Sequence, residues 1–237
     1  MAHSIHEELI KGNKMYQMVT ERLDRGQEYQ KSGPDSILFD RELIETILEF
    51  YDKEDELLFP DMRKFSPEQI LAYLKATHRY YLNKLLPEIE QSVVHIFTRY
   101  RESHGLLSTL VLFFNDYKEK LVDHIKKEER DFFPYAQQLM NAQNGLLTEK
   151  EIELLLENDA LSRFSAGHGS IEDELGEVNK LICSYSDQTD IPLPYRIFLN
   201  QVQVFELELK KHAIIEDYVF LPMLMEMRGK LNRSISS

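Results

Sequence analysis

The 237 residues, 43% hydrophobic and 29% charged, suit one large soluble domain or two small ones and exclude a disordered or collagen-like chain. Forty-one acidic against 28 basic residues give a net charge of −13, which repels nucleic acid and anionic lipid, while the single cysteine, Cys183, excludes a disulfide framework or a zinc site built mainly of thiolates. No apolar run has the length of a membrane span, and the opening Met-Ala-His-Ser-Ile-His-Glu-Glu lacks a signal-peptide pattern, so the expectation is a cytoplasmic protein with no nucleic-acid and no membrane partner.

Nine Gly and eight Pro, with long stretches free of both, favour helices over an all-β fold. Residues 4–30 and 40–57 read as two helices parted by Lys31-Ser32-Gly33-Pro34-Asp35, and Pro60 closes the second. Ser66-Pro67-Glu68-Gln69 joins an N-cap serine, a proline at the first helical position and a glutamine set for a capping box. The helix it opens has Leu71, Leu74, Tyr81 and Leu85 on its apolar face. A further helix over roughly 106–140 carries Leu110, Phe114, Tyr117 and Leu121 on one stripe and stops at Asn141 to Gly145. Thr148-Glu149-Lys150-Glu151 is a second capping box, opening a short helix to about 157. Residues 158–186 form a longer one with Leu161, Phe164, Leu175 and Ile182 inward, Asp187 to Pro194 is a loop, and a last helix over about 194–228 buries Phe198, Val202, Phe205 and Leu209. The expected fold class is all-α: an up-and-down four-helix bundle over 66–230, preceded by a helical N-terminal region over 1–65.

Each long helix of that bundle carries one histidine on the stripe that otherwise faces the core: His78, His124, His168 and His212. A lone histidine there is more often a satisfied core residue than a ligand, but one on every helix shifts the balance. Their separations are 46, 44 and 44 residues, and the midpoints 101, 146 and 190 fall at the breaks between helices, so antiparallel neighbours bring all four to one layer. Carboxylates accompany two of them at a spacing of four, His124 with Glu128 and His212 with Glu216, on the same helix faces. A longer echo links these pairs: His124-Ile-Lys-Lys-Glu128 leads to Phe132-Phe133-Pro134, and His212-Ala-Ile-Ile-Glu216 to Phe220-Leu221-Pro222. In Phe50-Tyr-Asp-Lys-Glu54, leading to Leu58-Phe59-Pro60, the frame recurs with phenylalanine in the histidine place.

Four imidazoles and two carboxylates gathered inside a bundle need a compensating charge, and a cation supplies it. Zinc, iron and manganese all suit mixed nitrogen and oxygen donors without thiolates; the duplicated order favours two ions, and redox-active iron is the preferred reading.

The order His, HxxxE with an aromatic-apolar-Pro tail, His, and a second HxxxE with the same tail resembles the hemerythrin-like di-iron proteins over about 66–228. Within them the chain is most similar to the family called repair of iron centres, or regulator of cell morphogenesis and nitric-oxide signalling, also through His78 leading into Leu86-Pro87-Glu88-Ile89. The resemblance implies a hemerythrin-like bundle holding two non-haem iron ions, bridged by carboxylate and oxo or hydroxo groups, with His78, His124, His168 and His212 as terminal ligands and Glu128 and Glu216 as bridges. It further implies a protein of nitrosative or oxidative stress that binds or reduces nitric oxide, O2 or peroxide, or supplies iron for iron-sulfur cluster repair; a monomer or homodimer is expected. Two departures stand out. Glu172 occupies the place where oxygen carriers have a fifth histidine, and residues 1–65 lack the cysteine pair with which the repair family often begins. The alternatives are a redox or gas sensor signalling through the N-terminal region, and a structural helical bundle without metal.

Overall fold

The computed structural model describes residues 41–52, 62–100, 105–167 and 192–235. Every regular element among them is helical, and they contain no strand, in agreement with the all-α class. The helices are α1 (Arg41–Asp52), α2 (Pro67–Tyr80), α3 (Leu86–Tyr100), α4 (Gly105–Lys127), α5 (Phe133–Gln143), α6 (Glu149–Leu156), α7 (Ala160–Gly167), α8 (Leu193–Ile215) and α9 (Leu221–Ile235). The expected helix over 4–30, the turn at 31–35, Pro60 and most of the helix expected over 158–186 lie outside the described residues. None of the described helices is long and apolar enough to cross a membrane.

The helix starts follow the local chemistry read from the sequence. At α2 the Gln69 amide donates to Ser66 Oγ (3.2 Å) while the Ser66 amide donates to Gln69 Oε1 (3.0 Å), closing the capping box. At α6 the Thr148 amide and hydroxyl both donate to Glu151 Oε2 (2.8 and 2.7 Å), and these bonds hold the Glu151 carboxyl below its ordinary value. Gly145, at φ 71°, ends the helix before it: a left-handed residue just past the last turn lets the amides of Asn144, Gly145 and Leu146 fold back onto the Met140, Ala142 and Asn141 carbonyls. Pro194 sits in the first turn of α8, where a missing N–H costs nothing.

Two compact units arise, each from separate stretches of chain. One takes residues 1–77, 136–156 and 214–237. In it Leu43, Ile47 and Phe50 of α1 are buried at helical spacing, Tyr51 and Tyr73 share a hydroxyl–hydroxyl hydrogen bond of 3.2 Å, and Arg228 of α9 donates to the Leu156 carbonyl at the end of α6 (2.6 Å). The other takes residues 78–135 and 157–213. Its core joins α4 to α8 through the edge-to-face pair Phe114 and Phe198 (6.0 Å), and Phe132 to α7 through its stack on Phe164 (3.7 Å).

The sequence reading does not anticipate three π-helical turns: Tyr81–Leu85, Glu128–Phe132 and Glu216–Phe220, each running directly into the next α-helix. Each begins six residues before a proline, at Pro87, Pro134 and Pro222. Proline cannot donate to the carbonyl four residues back and its ring crowds that carbonyl, so the backbone widens ahead of it. The amide just before the proline then reaches five residues back: Leu86 to Tyr81, Phe133 to Glu128, Leu221 to Glu216. At the third turn the Tyr218 carbonyl, deprived of a Pro222 amide, accepts from Arg63 Nη2 at 2.9 Å.

Truncating Phe198 to Ala should destabilise the protein by about 3–5 kcal/mol in denaturant unfolding. Because the Glu151 carboxyl is held low, its capping bonds add stability above the ordinary carboxylate range and lose it as pH falls through the depressed value. The Tm difference between Glu151→Ala and wild type should therefore be present at neutral pH and narrow below about pH 4.

Candidate metal centre

The histidines sit where the buried stripes pass. On α8 the stripe Tyr195, Phe198, Val202, Phe205, Leu209 continues at steps of three and four to His212, and all six are buried. On α4, Phe114, Tyr117 and Leu121 lead to His124 and Ile125, and then to Glu128 at the start of the second π turn. On α2, Leu71 and Leu74 lead to His78 and then Tyr81.

Three of these donors converge. His78 Nε2 lies 3.1 Å from His212 Nε2 and 3.3 Å from Glu128 Oε2, and ligand atoms of His78, Glu128 and His212 all fall within 4.8 Å of one another. Glu128, only 3% exposed, turns its other oxygen to His124 Nε2 at 2.7 Å. One carboxylate thus spans imidazoles from two helices, one oxygen to each. His124, 20% exposed, stands at the margin of the cluster. Glu216, completely buried, opens the third π turn four residues after His212.

The ring of His78 is fixed from behind. Its Nδ1 lies 3.3 Å from Glu129 Oε1, so with Nδ1–H donating there the lone pair of Nε2 faces the cluster; its plane stacks on Phe133 at 5.1 Å and 19°. Phe133 holds the apolar place of the Phe132-Phe133-Pro134 tail, the place of Leu221 in the second copy, which gives that tail a direct role in the site.

This donor set suits a metal ion. Two nitrogens bound at about 2.1 Å and at a right angle are about 3.0 Å apart, close to the 3.1 Å between the two Nε2 atoms. Mixed nitrogen and oxygen donors fit iron, zinc or manganese, and a bound cation offsets the desolvation of the buried carboxylates. Beside the donors is a cavity of about 30 Å³, walled by His78, His124, His212, Glu128, Tyr81, Tyr117 and the apolar Leu121, Ile125, Leu209 and Ala213. It has room for one or two water-sized groups, since each needs about 10–15 Å³.

Of the six residues read from the sequence as ligands, His78, Glu128 and His212 meet, His124 reaches them through Glu128, and Glu216 follows His212 along its helix. His168 lies outside the described residues, as do Glu172 and Cys183. The structure adds two acids, Glu129 and Glu208, that the sequence patterns do not single out. Glu129 looks like a surface acid, being 43% exposed. Glu208 is fully buried, and its spacing four before His212 was an available signal. Tyr81, also fully buried, reads in the sequence first as an aromatic of the core and second, near His78, as a donor to a bound ligand.

If the cluster holds a metal, adding a divalent cation to metal-free protein should raise Tm, with about 2.7 kcal/mol of stabilisation at a free concentration a hundred times Kd. His124→Ala should shrink that gain, and the same change at the exposed His95 should leave it intact, in paired thermal melts with and without chelator.

Compared with known families, residues 3–136 match the Hemerythrin HHE cation binding domain. The matched stretch is more than half of the 237 residues and contains His78, His124 and Glu128, the frame beginning at Phe50, and most of the N-terminal region; it ends before His168, His212 and Glu216. No curated protein and no solved structure matches the chain. An all-helical protein with buried histidines and carboxylates drawn together in this way, and with that match, belongs to the hemerythrin HHE cation-binding family.

Proposed function

We propose that this chain is a non-haem di-iron protein that binds a ligand of two or a few atoms, O2, nitric oxide or peroxide, in the response to nitrosative or oxidative stress. Six residues hold the metals in this reading: His78, His124, His168 and His212 as terminal donors, Glu128 and Glu216 as bridges. The observation that carries it is the Glu128 carboxylate, buried and turned toward His78 with one oxygen and His124 with the other. A carboxylate that only needed neutralising would be served by one imidazole; facing two, from separate helices, is the arrangement a bridging ligand needs.

The chain's own residues restrict what can reach the centre. A cavity of about 30 Å³ excludes an organic substrate and admits a diatomic molecule or peroxide. Leu121, Ile125, Leu209 and Ala213 keep its wall apolar, which limits water near the donors. Glu129 and Phe133 hold His78 in one ring orientation, so that the nitrogen facing the cluster is already aimed. When bound, iron supplies redox chemistry and an open coordination position for the small ligand. The resemblance to the repair-of-iron-centres family supports release of iron to damaged iron-sulfur clusters as the biological output, in a cytoplasmic, reducing setting that suits a chain with a single cysteine.

Elemental analysis of protein purified from iron-replete cells should give about two irons per chain, with near-ultraviolet charge-transfer absorption that nitric oxide or peroxide alters. Colourless protein carrying stoichiometric zinc would overturn the iron assignment. Failure of the iron-loaded protein to restore activity to a cluster-depleted iron-sulfur enzyme would remove the repair role and leave small-ligand binding.

A further inference from the structure

The two imidazoles that face each other at 3.1 Å are secured differently. His78 has Glu129 and Phe133 behind it. His212 has Tyr81. This tyrosine opens the first π turn, the place that Glu128 and Glu216 hold in the second and third, and its side chain is completely buried.

Its hydroxyl donates to the backbone carbonyl of Glu208 at 3.0 Å, with a Glu208 carboxylate oxygen 3.5 Å away. In an α-helix that carbonyl also receives the amide four residues on, which belongs to His212. Tyr81 therefore grips the turn of α8 that carries the imidazole. Its ring meets the His212 ring edge-on at 5.7 Å and 67°, and Phe205, two turns back along α8, at 5.4 Å and 85°. One side chain touches α8 at residues 205, 208 and 212, fixing the height of that helix and limiting rotation of the His212 ring. The hydroxyl is engaged with the Glu208 carbonyl, so the phenol acts on the site through its tether and its ring face.

The geometry points to Tyr81 as the positioning residue of the centre: it sets the height and ring plane of His212 against His78. This rests on the metal-binding reading above. A metal fixes its donors to within about half an ångström, so affinity depends on how far the protein holds them there beforehand. The π turn is what places a tyrosine at this level, because the widened backbone ahead of Pro87 offers position 81 to the cluster as it offers 128 ahead of Pro134.

The test compares wild type, Tyr81→Phe and Tyr81→Leu, each loaded separately with ferrous iron and with zinc as a redox-silent probe. Three quantities are read: the rate of metal loss to excess chelator, the Tm of the metal-free protein, and the absorption of the iron-loaded form. Tyr81→Phe keeps the ring and removes the tether; it should lose both metals about tenfold faster than wild type, with Tyr81→Leu faster still. Unchanged loss rates with a lowered metal-free Tm would show an ordinary core residue and overturn the inference. A visible phenolate-to-iron band in wild type that vanishes in Tyr81→Phe would also overturn it, making Tyr81 a ligand. Should Tyr81→Leu fail to fold, Tyr81→Phe decides alone. Wild type that retains neither metal would instead sink the metal-binding reading itself.

Discussion

Glu128 is the constraint on which the site depends. A carboxylate 3% exposed in a helical core is strongly unfavourable unless positive or donor groups meet both of its oxygens. His124, four residues back, lies 2.7 Å from one oxygen, while the other faces the Nε2 lone pair of His78, from α2, at 3.3 Å, so a cation held between them is what would offset the burial. The second contact can form only if α2 and α4 are in one particular register, so the polar pair selects the packing as well as the chemistry. His212 then closes the group from α8, along a stripe that is apolar from Tyr195 to Leu209.

Backbone and side chains are linked at the same level. The π turns that begin at Tyr81, Glu128 and Glu216 each end just ahead of a proline-containing turn, and each puts a residue of the site at its first position. A regular α-helix through Pro87, Pro134 or Pro222 would clash at the carbonyl four residues back. Widening the turn relieves the clash and re-aims the residue that opens it. The HxxxE-to-proline frame is thus one physical unit: histidine and carboxylate on one face, then the proline that shapes the turn between them and the following helix. Arg63, donating to the Tyr218 carbonyl, satisfies a backbone group that this arrangement leaves without its helical donor.

How much of this could be read beforehand follows from what sequence patterns carry. The all-α class, the starts of α2 and α6 and the stop at Gly145 were legible because capping boxes and a left-handed glycine are local chemistry. His78, His124, Glu128 and His212 were legible because a histidine on an apolar stripe contradicts its surroundings. The π turns were not, since a proline inside a helix signals a disturbance without saying which kind. Glu129 was hidden by its own exposure, as an acid on a charged turn, and its tie to His78 depends on a contact 51 residues away along the chain. Glu208 lies outside the HxxxE frame, before its histidine rather than after it, and Tyr81 reads first as a core aromatic and second as a donor near His78.

The most direct measurement is anomalous diffraction at the iron edge from crystals of the iron-loaded protein. The expected map has its strongest density between the Nε2 atoms of His78 and His212 and against the Glu128 carboxylate, with two resolved peaks. Iron bound only at surface acids, or that pocket filled by imidazole-to-imidazole and imidazole-to-carboxylate hydrogen bonds with no anomalous signal, would contradict the account.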